Sequence, residues 1–102
     1  MPIIAVTRWQ AGHDEARSAM RDVASRLKQA GAQTITVGRI TTGAHADQVI
    51  VAVTYENYEA MGRAMQALHS DQQYQQRINE LRKTGALQER TLIHAEEITT
   101  SS

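Results

Sequence analysis

The sequence has no cysteine, no phenylalanine and a single proline, and one tryptophan and three tyrosines are its only large aromatics. Without cysteine there is no disulfide framework, no thiolate nucleophile and no cysteine metal site. Without phenylalanine the core has to be built from Ile, Val, Leu, Met and Ala. No charge of either sign is in excess: 11 Lys and Arg face 11 Asp and Glu, which argues against the basic footprint of a nucleic-acid binder. No apolar run approaches the ~20 residues of a membrane span, and no basic start leads into the apolar stretch of a signal peptide. The expectation is a soluble, cytoplasmic protein with neither nucleic acid nor membrane as partner. Its 102 residues suit one domain over 1–98, with a core marginal by itself. A polar tail over 99–102 is expected to fray.

The most informative stretch is Val49 to Leu81, where a buried strand runs into two amphipathic helices. Ile3 to Thr7 and Val49 to Tyr55 are continuous apolar runs and read as strands. Between them, Gly12 breaks the first run, and Asp14 and Glu15 open a helix at the end its dipole favours. Ala16, Ala19, Met20, Val23, Ala24, Leu27 and Ala30 then follow at helical spacing. Gly31 stands where a left-handed cap is wanted. Gln33 to Thr42 is rich in β-branched residues and reads as a strand, with a turn over Gly43 to Asp47. Asn57 is a suitable N-cap for a helix showing Tyr58, Met61, Met65 and Leu68 on one face. Ser70 or Asp71 starts the next helix, with Tyr74, Ile78 and Leu81 on its apolar side, and Gly85 ends it. Leu87 to Ile98 reads as the last strand.

The order is βαββαβ with the second helix broken in two, which predicts an α+β, ferredoxin-like sandwich: helices on one face of an antiparallel sheet. In that topology strands one and three are central, which suits the two continuous apolar runs. A strand covered on one face alternates, and one covered on both faces does not. Here Ile3 and Ala5 oppose Ile4 and Val6, and Val49, Val51 and Val53 oppose Ile50 and Ala52. One helix layer covers one face, and each large aliphatic left on the other forgoes ~1.5–3 kcal/mol of burial. The economical partner is a second copy, sheet against sheet.

Three segments carry a family resemblance: Lys28-Gln29-Ala30-Gly31-Ala32, Val49 to Tyr55 with Glu56-Asn57-Tyr58-Glu59-Ala60, and Ser70-Asp71-Gln72-Gln73-Tyr74. With them the chain resembles the dimeric α+β barrel superfamily, and within it the small NIPSNAP-like and antibiotic-biosynthesis-monooxygenase-like proteins. These segments position a fold and are not a catalytic signature. The resemblance implies a homodimer, and among its members are cofactor-free monooxygenases, haem-degrading enzymes and isomerases. Fold alone does not choose among them. The haem-degrading pattern is not matched, since strand one has no Asn and the helix break offers only His69.

Inward-facing polar and aromatic residues would define a ligand site in such a fold. Trp9 can stack on a flat ligand, or serve as a rim or core residue. Tyr55 can donate a hydrogen bond, or end its strand with a solvated hydroxyl. His69, at the end of the second helix, is the first candidate for acid–base chemistry, although a cation there also suits the helix dipole. Arg39 and His94 can bind a carboxylate or enolate oxygen, or act as edge-strand charges that discourage aggregation. His13 and His45 read as surface residues. The histidines have no metal-ligand spacing, and no phosphate loop, nucleophile elbow or paired carboxylates occur. No metal and no cofactor is expected.

Met1-Pro2-Ile3-Ile4 resembles the start of the tautomerase superfamily, in which a proline amine, freed by loss of Met1, acts as base. The leading expectation is a homodimer that binds a small organic ligand, with cofactor-independent oxygenation or isomerisation as its chemistry. The alternatives are a non-catalytic ligand-binding or assembly module and a Pro2-dependent tautomerase.

Overall fold

Seven elements follow one another in a computed structural model that describes residues 2–96 and residue 98. They are β1 (Ile3–Gln10), α1 (His13–Ala30), β2 (Thr34–Arg39), β3 (Val49–Tyr55), α2 (Tyr58–His69), α3 (Gln72–Thr84) and β4 (Ala86–His94). The strands form one antiparallel sheet in the order β2-β3-β1-β4. The two continuous apolar runs are therefore the central strands, and the fold is the ferredoxin-like α+β sandwich. The polar tail expected at 99–102 lies outside the described residues.

Local chemistry satisfies orphan backbone groups at the end of α1 and at the starts of α2 and α3. Gly31 takes φ 127°, which a side chain would resist, and lets its own N–H and that of Ala32 reach back to the Leu27 carbonyl at 3.2 and 2.9 Å. Asn57 Oδ1 accepts from the Ala60 N–H at 2.8 Å, and Asp71 Oδ1 accepts from that of Tyr74 at 3.1 Å. Ser70 and Asp71 are the residues between α2 and α3.

Strand pairing sorts the sheet into two faces. Ile3, Trp9, Val49, Val51, Val53 and Tyr55 face the helices and are buried. Ile4, Val6, Ile50 and Ala52 face the other way and are only partly buried, although they too are apolar. The shortest dimension of the molecule, 19 Å, accommodates the sheet and one helix layer and no third layer. A bulge between Arg8 and Trp9 skips Gln88, so that Leu87 pairs with Trp9.

Three sequence expectations are corrected. Strand β2 ends at Arg39 and not at Thr42, because the connection closes early: Ile40 and Asp47 donate to Gln48 and Ile40 across it. Strand β4 ends at His94, short of Ile98. In α2 the buried stripe is Ala60, Ala64 and Leu68, while Tyr58 and Met65 are 54% and 44% exposed. Met61 still packs against the core from the edge of this stripe, and Met65, although exposed, lines a cavity between helices and sheet.

Gly85 is required by space and not by its dihedral angles (φ −149°). A Cβ there would lie 2.3 Å from that of Ala11 and 2.8 Å from the Ala11 Cα. Gly85→Ala should cost about 1–3 kcal/mol through this clash, read as a lower urea midpoint with an unchanged slope. An unchanged midpoint would mean that the β1–α1 corner yields freely.

Candidate functional site

Between the sheet and its helices lies a cavity of about 480 Å³, a size ordinary for small-molecule sites. Its floor is the middle of the sheet. Ala5 and Thr7 of β1 stand between Val53 and Val51 of β3 on one side and Leu92 and Arg90 of β4 on the other. Ala5 and Thr7 point toward the helices yet are only partly buried, because short side chains at the sheet centre leave the space above them open. Met20, Leu27, Leu68 and Ile78 close the apolar part of the wall from the helix side.

Polar and aromatic groups converge on this apolar chamber from separate elements. Trp9 is 4% exposed, and its indole N–H donates to Thr7 Oγ1 at 2.7 Å, which holds the ring against the floor. Tyr55 is 1% exposed. Burial first, and the nearby Tyr74 second, push its phenol up to about 12. It is a hydrogen-bond donor throughout the neutral range. Tyr74 is also raised by burial, against the opposing pull of Arg90 and, less, Arg82. Both arginines line the same cavity as Tyr74. His69 and Gln75 complete this side of the wall.

The α2–α3 corner that carries His69 and Tyr74 is pinned from α1. Arg26 grips both carboxylate oxygens of Asp71, at 3.0 and 2.9 Å, and also donates to Gln73. The Asp71 carboxyl is held below its ordinary value by that guanidinium first, then by the Tyr74 N–H. Gln75 Nε2 donates to the Leu68 carbonyl at 3.0 Å across the break, and Arg77 bonds Asp22 at 2.8 Å lower down α3.

Of the residues singled out in the sequence, Trp9, Tyr55 and His69 line this one cavity, and Arg39 and His94 do not. Arg39 is exposed at the end of β2, beyond the helix layer. His94 is exposed near the end of β4, its ring 6.0 Å from that of Tyr58. The Tyr55 ring lies under the helices and is buried. Met1 lies outside the described residues, and Pro2 is exposed, its carbonyl accepting from the Ala95 N–H at 3.0 Å. It lacks the apolar pocket that proline-amine chemistry needs. Sequence reasoning missed Tyr74, Arg82 and Arg90 as site residues. The signal was present: Tyr74, Ile78 and Arg82 recur every four residues, and Arg90 alternates with Leu92. Among the described residues no three His, Cys, Asp or Glu side chains gather to hold a metal, and no helix is long and apolar enough to cross a membrane.

The chain belongs to the family described as domain of unknown function DUF6854, which matches residues 2–89. Among solved structures it is similar to SnoaB, a cofactor-independent oxygenase from Streptomyces nogalater. That pair shares 16% identity with a TM-score of 0.71, over 98% of each chain. It is also similar to an uncharacterised NIPSNAP domain protein from Burkholderia xenovorans, at 12% identity and TM-score 0.72, over 97% of this chain and 99% of that one. A dimeric ferredoxin-like protein from an uncultured marine organism shares 13% identity at TM-score 0.68, over 94% and 98%. No curated protein matches the chain. Identities this low carry the fold and not the chemistry.

The Tyr55 phenol yields a pH prediction. Its folded pKa, about 12, exceeds the ordinary 10.0, so folding favours the neutral form. That contribution is whole below pH 10 and is lost as pH rises toward 12. A shift of this size corresponds to roughly 3 kcal/mol at most. Urea unfolding of the wild type should weaken over this window, and Tyr55→Phe should weaken less. The same variant should remove the highest-pH step from the phenolate absorbance titration. A curve identical to the wild type would mean that the ring is solvated.

Proposed function

We propose that this protein is a homodimer whose two cavities each bind a small, flat organic molecule and move a proton on it. The observation that carries the reading is the convergence of Trp9, Tyr55, Tyr74 and His69 on one apolar chamber. Trp9 and the valine floor bind the ring body. His69, at the exposed end of α2, is the base that removes a proton from a carbon or hydroxyl next to a carbonyl. Tyr74 and Tyr55 donate hydrogen bonds to the oxygen on which negative charge develops, in surroundings where such bonds are strong.

That step is shared by isomerisation and by cofactor-independent oxygenation, the activity stated for SnoaB. In isomerisation the proton returns to another carbon. In oxygenation the deprotonated carbon passes electrons to dioxygen. A CH2 group becomes C=O and the second oxygen atom leaves as water, so the substrate is its own reductant.

Self-association is supported by the uncovered sheet face, where Ile4, Val6, Ile50 and Ala52 form an apolar surface and Ile93 is 43% exposed. Ile50→Lys should lower the solution mass from two copies to one, by light scattering after size exclusion, with the helix signal retained. Val51→Lys places the charge under the helices instead and should unfold the chain. A folded dimeric Ile50→Lys would overturn the homodimer.

The proton-transfer reading is tested with 2-tetralone, whose ring-flanked CH2 lies beside a ketone. Its binding should change the emission of Trp9, the only tryptophan, and its deuterium exchange in D2O should be accelerated. His69→Ala should keep the emission change and slow the exchange by about 10²-fold. Binding with no acceleration in the wild type would leave a non-catalytic ligand-binding module.

A further inference from the structure

The wall of the cavity is lopsided in charge. Arg82 and Arg90 line it, and no carboxylate does. Arg8, Arg17, Arg26, Arg63 and Arg77 each meet an acid within 4 Å. Among the described residues Arg82 and Arg90, like Arg21 and Arg39, meet none, and Arg82 donates instead to the neutral Asn79 amide oxygen at 3.4 Å. Of these four, only Arg82 and Arg90 line the cavity. The two come from different elements. Arg90 is on the edge strand β4 beside Thr7, and Arg82 is on the face of α3 that also carries Tyr74 and Ile78. Both are exposed, so they stand at the open rim of the cavity. The remaining polar groups add donors. The Tyr55 hydroxyl stays protonated, and the Trp9 N–H is already satisfied by Thr7. An apolar chamber with two unneutralised cations and phenolic donors at one side is matched to one kind of ligand.

We propose that the cavity selects an organic anion: a flat apolar ring body resting on Ala5, Val51 and Val53 against Trp9, with one carboxylate or ionised enol oxygen between Arg82 and Arg90 and within reach of Tyr74. The inference rests on the ligand-binding reading above and narrows its substrate class. A guanidinium suits such an oxyanion because its planar fork offers paired donors with a full charge. The two arginines also supply an anion-steering field that a neutral ring compound would not feel.

The test is calorimetric titration of 2-naphthoate and of its neutral isostere 2-naphthamide at neutral pH, in low and high salt. Naphthoate should bind about tenfold tighter or better, with the advantage shrinking in high salt. Arg82→Gln and Arg90→Gln should each reduce the preference and the double variant abolish it, with naphthamide affinity unchanged. Arg39→Gln, on the exposed end of β2, should leave it intact. Equal affinities in the wild type, or a preference that survives the double variant or falls equally with Arg39→Gln, would overturn the anion site while leaving the ligand-binding reading in place. Binding of neither probe would remove both.

Discussion

A single layer of helices can cover only one face of a four-stranded sheet, and the rest of this molecule depends on that geometric limit. The central strands are apolar on both faces, so α1, α2 and α3 bury Ile3, Val49 and Val51 and leave Ile4, Val6 and Ile50 half-covered. The uncovered residues are not a defect of packing that local rearrangement can repair. Alternation along a strand forbids any side chain from changing sides without shifting the register of the whole sheet. The homodimer proposed above follows from this constraint.

The covered face has its own limit. Close packing demands that side chains from helix and sheet interdigitate, and at the centre of β1 the residues on offer are Ala5 and Thr7. They are too short to meet the helices over that part of the floor, and the space above them is the cavity. Its wall is held by interactions unrelated to one another: Thr7 holds the Trp9 ring, Arg26 holds Asp71 at the head of α3, and Gln75 spans back to the end of α2. The polar groups therefore occupy a preformed site whose parts are separately braced.

Much of the fold was legible in the sequence, because its signals are local. Continuous apolar runs marked β1 and β3 as central. Asn57, Asp71 and Gly31 marked helix ends through bonds to backbone groups a few residues away. Less of the site was legible. The helix α2 offers two overlapping stripes, Tyr58-Met61-Met65-Leu68 and Ala60-Ala64-Leu68. The second is fully buried, while of the first Met61 packs at the core's edge and Met65 lines the cavity. Nothing near Arg90 in the chain says that Thr7 and a cavity lie beside it. Arg39 and His94 share the helix-facing side of the sheet, yet both are exposed and neither lines the cavity.

By itself the sequence determined what is settled within a few residues of each position: the strands and helices, their caps, and the fact that two strands are apolar on both sides. The tertiary structure alone decided which of those sides the helices cover, where short side chains leave room, and that Arg82 and Arg90, from different elements, share one cavity with Tyr55 and Tyr74. The physical reason is that periodicity and capping are short-range, whereas register and helix approach are set by contacts between segments far apart in the chain.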